Sequence, residues 1–281
     1  MKIGITGATG QLGRIVVEKL KGKTAAEHIV ALVRSPEKAA DLGVETRVFD
    51  YEKPSVEALK GIDKLLLISG NEIGKRLEQH TKVIEVAKQA GVKLIVYTSL
   101  LRTDVSTISL AGEHLGTERI LEKSGIPYVL LRNGWYTENY TGSITDIVSS
   151  GVLYGSSGEG KISSATRADF AEAAVAVLTT EGQAGKVYEL AGDEAYTMSD
   201  FAAEIAKASG KNVLYKNLPV EDYVAVLVSA GLPEGWAQFY GGTSASTEKN
   251  DLFDDGHQLS KLIRRPTTPL SQVVAEALSK A

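Results

Sequence analysis

Residues 7–13 read Gly-Ala-Thr-Gly-Gln-Leu-Gly. They follow a short strand-like run, Lys2–Thr6, and precede apolar residues at helical spacing, Ile15, Val16, Val17 and Leu20. A strand, a glycine-rich turn and a helix start in that order constrain the chain more than any other feature. Gly7 permits the tight turn, Gly10 lets backbone approach a ligand with no Cβ in the way, and Gly13 lets the helix pack closely on the strand. The N–H groups of a helix start, together with the helix dipole, favour an anion. The arrangement therefore predicts a binding site for a dinucleotide pyrophosphate.

The next apolar run, His28–Val33, ends in Arg34-Ser35-Pro36. An NAD site would place a carboxylate near this point to accept hydrogen bonds from the ribose hydroxyls. No acidic residue lies between His28 and Pro36. Arg34 instead offers a permanently charged fork suited to a 2′-phosphate, and Ser35 can add a hydroxyl. The expected cofactor is NADP(H) rather than NAD(H).

Strand and helix patterns alternate through the first half. Strand-like runs at 45–49, 64–69, 93–99 and 126–132 are separated by helical patterns at 55–60, 78–90 and 111–124, with a further helix candidate at 36–42. Such alternation predicts an α/β fold: a Rossmann-type, doubly wound parallel sheet. The later chain is less regular. Helices are expected at 169–179, 197–209, 220–230 and 269–278, with short strands at 187–190 and 213–217. Thr197, Ser199 or Asp200 can cap the second of these helices, and Thr268 precedes Pro269 as a cap of the last. The reading is a cofactor-binding core over residues 1–135 with contributions from about 160–195. A smaller α/β C-terminal lobe is formed by 136–160 and 196–281 on the substrate side, and a cleft between the two is the expected substrate site.

Composition narrows the function classes. The 281 residues carry a formal net charge of −4, and the basic residues are scattered, which argues against a nucleic-acid surface. No apolar run is long enough to span a bilayer, and the first residues lack a signal-peptide pattern, so a cytoplasmic location is expected. There is no cysteine, which excludes disulfides, thiolate nucleophiles and cysteine-held metals. The four histidines, His28, His80, His114 and His257, show no metal-ligand spacing, so no metal is expected.

Several segments together carry a family resemblance. They are the GATGQLG loop, Arg34, the Asp50-Tyr51 pair, KLIVYTSLL (93–101) and LLRNGWYTENY (130–140). Others are KISSATRADFA (161–171), GKVYELAGD (185–193) and LFDDGHQLSKLI (252–263). The chain resembles the NmrA-like, atypical branch of the short-chain dehydrogenase/reductases, and within it the bacterial NAD(P)H:quinone oxidoreductases. The resemblance implies an enzyme that reduces a small-molecule quinone with NADPH, and it allows a homodimer. It places Gly7, Ala8, Thr9, Gly10, Gln11 and Leu12 on the pyrophosphate and Arg34 on the 2′-phosphate. Asp50 and Tyr51 would lie beside the adenine. Ser69, Gly70, Asn71, Glu72 and Ile73 would line the middle and nicotinamide side. Gly134, Trp135, Tyr136, Thr137, Glu138 and Asn139 would close over the nicotinamide, with Tyr136 and Asn139 positioning the acceptor. Plainer roles stand beside these: a turn cap for Asp50, core packing for Trp135 and Tyr136, a helix cap for Asn139.

One departure bears on mechanism. Many members of the superfamily carry Tyr-x-x-x-Lys on a helix, where the lysine helps the tyrosine pass a proton to a carbonyl oxygen. The matching helix here reads His114-Leu-Gly-Thr-Glu118. A protonated His114 held by Glu118 is a candidate proton donor; a helix-surface ion pair or a polar cap is the alternative. A quinone needs little such help, because hydride transfer yields a hydroquinone anion far less basic than an alkoxide. A second function class stays open: a non-catalytic NADP(H)-sensing regulator, which the missing relay also permits.

Overall fold

The structure, a computed structural model, describes residues 1–280. In chain order it contains β1 (Ile3–Thr6), α1 (Gln11–Lys21), β2 (Ile29–Val33), β3 (Glu45–Val48), α2 (Val56–Leu59), β4 (Lys64–Leu67), α3 (Arg76–Gln89), β5 (Leu94–Leu100), α4 (Ala111–Ser124) and β6 (Tyr128–Asn133). Then come α5 (Glu138–Thr141), α6 (Ile144–Ser150), β7 (Val152–Gly155), α7 (Arg167–Thr179), β8 (Val187–Leu190), α8 (Met198–Ser209), β9 (Leu214–Asn217), α9 (Val220–Ser229), α10 (Glu234–Glu248), α11 (Gln258–Ile263) and α12 (Leu270–Ser279). The chain divides into two compact units. One comprises Met1–Asp104, Leu110–Asn133 and Arg167–Glu189; the other comprises Val105–Ser109, Gly134–Thr166 and the chain from Leu190 onward.

The first unit is built on a parallel seven-stranded sheet in the order β3-β2-β1-β4-β5-β6-β8. Every residue of β1, β2, β4 and β5 is buried, as expected of strands covered on both faces. Leu65, Leu67, Ile95 and Tyr97 pack with Val83, Ile84 and Ala87 of α3 and Leu121 of α4. Each of these Leu, Ile and Val side chains contributes about 1.5–3 kcal/mol on full burial. By the two-residue alternation of strands, Leu66 and Val96 face the opposite layer, and there α1 packs against α7. The sheet order reverses between β1 and β4, so the crevice at their carboxyl ends is the ligand position of an open α/β sheet.

The second unit holds a two-stranded parallel sheet, β7 with β9, and mostly helices. Thr197 caps α8 through a reciprocal pair. The Asp200 N–H donates to Thr197 Oγ1 at 3.1 Å, and the Thr197 N–H donates to Asp200 Oδ2 at 2.9 Å. The helix candidate Pro36–Leu42 forms as a 3₁₀ helix and ends at Gly43, which enters the left-handed region at φ 65°. Two sequence expectations are corrected. Pro269 rather than Thr268 is the N-cap of α12. Finally, α10 is a full helix where periodicity gave none; of its glycines Gly241 serves packing, since a Cβ there would lie 2.5 Å from Val224 of α9.

Candidate active site

The glycine turn has the geometry its sequence demands. Gly7 sits at φ +59°, and the Gly10 N–H closes the turn on the Gly7 carbonyl at 2.9 Å. A Cβ on Gly13 would fall 2.2 Å from the Gly7 oxygen, so only glycine lets α1 sit this close to the turn. The N-cap of α1 is Gly10, which supplies no side-chain cap, and the first turn carries no acidic residue. The leading N–H groups of α1 are thus left for an anion. Ala8 is fully buried, Leu12 is buried, and Gln11 is exposed.

Arg34 follows β2 and is exposed. Its charge is felt at Tyr51 and Glu72. Asp50 takes the local role of a turn cap, its Oδ1 accepting the Glu52 N–H at 3.0 Å. The Tyr51 hydroxyl lies 2.5 Å from Thr6 Oγ1 and 2.7 Å from the Ile68 carbonyl, and burial pushes its pKa well above the usual range. Tyr51 thereby ties the end of β3 to β1 and β4. Past β4, Ser69 and Gly70 are half-buried, while Asn71 and Ile73 are exposed. Glu72 pairs with Lys75 at 3.1 Å, which holds its carboxyl below the usual range.

The pair that stands in for Tyr-x-x-x-Lys is neither a donor couple nor a surface ion pair. His114 and Glu118 are both buried, and each has a different partner. His114 Nδ1 lies 2.8 Å from the Tyr97 hydroxyl, and burial, with the charge of Arg76, pushes its pKa down to about 3. His114 is therefore neutral at physiological pH and is not held protonated by Glu118. Glu118 accepts from Ser99 Oγ at 2.6 Å and from Arg132 Nε and Nη2 at 3.0 and 2.7 Å. Arg132 also donates to Glu189 at 2.8 Å and Asp104 at 3.2 Å. The guanidinium on β6 claims the carboxylate, so the two α4 positions do not couple.

In the second unit, Gly134–Asn139 forms one continuous segment. The Gly134 N–H donates to the Leu190 carbonyl at 2.7 Å, and the Thr137 N–H to Ala165 at 3.0 Å. Trp135 is buried, its ring centroid 6.4 Å from that of Phe239. Thr137 is buried with its hydroxyl 2.8 Å from Ser164 Oγ. Tyr136 is half-buried and bridges to Ala165; Glu138 opens α5; Asn139 is exposed. Thus Trp135 and Thr137 take packing roles, while Tyr136 and Asn139 keep accessible surface.

Sequence reasoning missed Thr6, Thr98 and His80, whose side chains hold the backbone after β4. The threonines sit inside apolar strand runs, and His80 reads as one polar residue on an amphipathic helix, so spacing offered no signal. Among the described residues no cluster of His, Asp and Glu is arranged to hold a metal, and no helix is long and apolar enough to cross a membrane.

A glycine turn on β1, an uncapped helix start and a basic residue closing β2 define a dinucleotide-binding protein. The NAD(P)H-binding family matches residues 7–181, and the chain belongs to it. It is 52% identical to Quinone oxidoreductase 2 of Escherichia coli K12 over 278 residues, 97% of each chain. The crystal structure of the Escherichia coli NADPH-dependent quinone oxidoreductase QOR2 complexed with NADPH superposes with a TM-score of 0.96 at 51% identity, over 98% of this chain and 99% of that one. That of Citrobacter sp. triphenylmethane reductase with NADP(H) gives 0.95 at 37% identity, over 98% and 100%.

Proposed function

We propose that this chain is an NADPH-dependent oxidoreductase that reduces quinones by hydride transfer without a Tyr-x-x-x-Lys relay. The observation that carries the reading is the conjunction of the Gly7–Gly13 turn with Arg34, in a chain 52% identical to a quinone oxidoreductase along nearly its whole length. What supports the fit of the cofactor is a turn that only glycine at position 13 allows to pack on α1, and a start of α1 with no side-chain cap and no acidic residue in its first turn.

In this reading residues 7–12 hold the pyrophosphate and Arg34 neutralises the 2′-phosphate. Asp50 and Tyr51 flank the adenine, and Ser69–Ile73 line the middle and nicotinamide side. Gly134–Asn139 covers the nicotinamide, with Tyr136 and Asn139 orienting the acceptor. When bound, the nicotinamide would supply a hydride, that is, one proton with two electrons. The quinone takes it up to become a hydroquinone anion, and one proton from solvent completes the hydroquinone. The protein's contribution is proximity, orientation and control of water. Neutral His114, bound to Tyr97, is a polar wall rather than an acid.

A steady-state assay following NADPH absorbance with small benzoquinones, and NADH as control, tests the reading. Turnover with NADPH preferred is expected. Saturable NADPH binding with no turnover across several quinones would replace the enzyme by a sensor.

A further inference from the structure

Where β4 leaves the sheet, three consecutive N–H groups are each taken by a side chain of a different element. Ile68 donates to Thr6 Oγ1 of β1 at 2.9 Å, Ser69 to Thr98 Oγ1 of β5 at 2.9 Å, and Gly70 to His80 Nε2 of α3 at 3.0 Å. Backbone that departs from a ladder usually turns to water or to other backbone; here side chains fix its course. Gly70 is held on its other side too, because Arg76 Nε donates to its carbonyl. Arg76 and His80 lie four residues apart on α3, so a single helix face grips both polar groups of one residue. The space beside Gly70 is also filled: a Cβ there would lie 3.1 Å from Gln79 Oε1.

The hydrogen bonds also set the form of His80. Nε2 accepts and so carries no proton. Nδ1, 3.0 Å from Thr117 Oγ1, carries the proton and donates; the Thr117 hydroxyl in turn donates to the Glu113 carbonyl at 2.9 Å. His80 is fully buried, with Tyr51 and Tyr97 edge-on to its ring at 6.0 and 5.5 Å. Each hydrogen bond in this buried run has its donor and acceptor matched, which makes it rigid. Arg76 is the contrasting member: it is buried, and its Nη1 finds no hydrogen-bond partner. Holding a guanidinium there is costly, and among the described residues its bond to the Gly70 carbonyl is the one side-chain bond it makes.

We propose that His80, in its neutral Nδ1–H form, is a positioning residue for NADPH: with Arg76 it clamps Gly70 and so presents Ser69–Ile73 to the cofactor. This rests on the proposed placement of that segment along the cofactor.

The test compares His80→Leu, which removes the acceptor, with His80→Gln, whose side-chain oxygen can take the Gly70 N–H. NADPH affinity is read by fluorescence titration, the Gly70 amide by NMR hydrogen exchange, and KM against kcat with benzoquinone. For His80→Leu, NADPH binding weakens and Gly70 exchange quickens, each by about tenfold, as loss of one buried hydrogen bond implies. KM for NADPH rises by more than kcat falls, and His80→Gln restores most of both. If His80→Leu does not fold, Thr117→Val frees the tautomer while leaving His80 in place, and it should weaken NADPH binding in the same direction. Faster Gly70 exchange with unchanged NADPH affinity in either variant overturns the proposal. So does unchanged Gly70 exchange in His80→Leu. Titration needs no turnover, so a wild-type protein inert to quinones would defeat the functional reading while leaving this test intact.

Discussion

Reversing the charge at Arg34 separates the 2′-phosphate reading from a solvated arginine. Arg34 is exposed, so the dielectric around it is close to that of water. A unit pair about 4 Å apart is then worth about 1 kcal/mol. A phosphate monoester carries about −1.5 to −2 charges, so on the proposed placement Arg34 would contribute about 2 kcal/mol to NADPH binding. Arg34→Glu removes that attraction and adds a repulsion of similar size, about 4 kcal/mol in all before salt screening. NADPH affinity should fall by about a hundred- to a thousandfold, with Arg34→Gln about midway on the logarithmic scale. NADH has no 2′-phosphate, so its affinity should change by less than about threefold. Titration of both coenzymes at two ionic strengths measures this, and the NADPH loss should shrink at high salt. Equal losses for the two coenzymes would remove Arg34 from the phosphate site.

Acid should destabilise the fold through two buried imidazoles. His80 and His114 are held at about 3 against an ordinary 6.5, chiefly by burial. Each stays neutral in the fold and takes up a proton on unfolding. The stability is therefore complete above 6.5 and is lost as pH falls from there toward 3. Going from pH 7 to pH 5 should remove about 2 kcal/mol per histidine in urea denaturation; an unchanged midpoint would mean the imidazoles are hydrated. Arg132→Met strands the buried Glu118 carboxylate beside Ser99 and should cost about 3–5 kcal/mol, with Glu118→Gln recovering part of it; a loss below about 1 kcal/mol would contradict that burial. His114→Phe should lower quinone turnover by less than about tenfold, and a loss of several hundredfold in a folded variant would make His114 the proton donor after all.

The parts that read well from sequence are those in which local chemistry and tertiary role coincide. The turn at Gly7–Gly13 needs glycine for backbone reasons that any partner would impose. β1, β2, β4 and β5 are apolar runs of the right length, because both sheet faces are covered. What stayed hidden depends on partners remote in sequence. Glu118 looked available to His114 four residues before it, but Arg132, fourteen residues on, takes it. His80 looked like one polar residue of a helix, and its partner Gly70 lies in the preceding loop. The helix α10 lies in a stretch with three glycines, one of which, Gly241, lets it approach α9 closely, a contact that local spacing does not reveal. Core packing for Trp135 was legible, and its ring does lie against Phe239, whereas the hydrogen bond of the Thr137 hydroxyl to Ser164, twenty-seven residues on, was not.

Mixing protein already saturated with NADPH against excess benzoquinone in a stopped-flow instrument puts the hydride step itself on view. The bound NADPH should be oxidised in a single phase at least as fast as steady-state turnover, with one hydroquinone appearing for each NADPH lost. NADPH that stays bound and reduced at every quinone concentration would contradict the account.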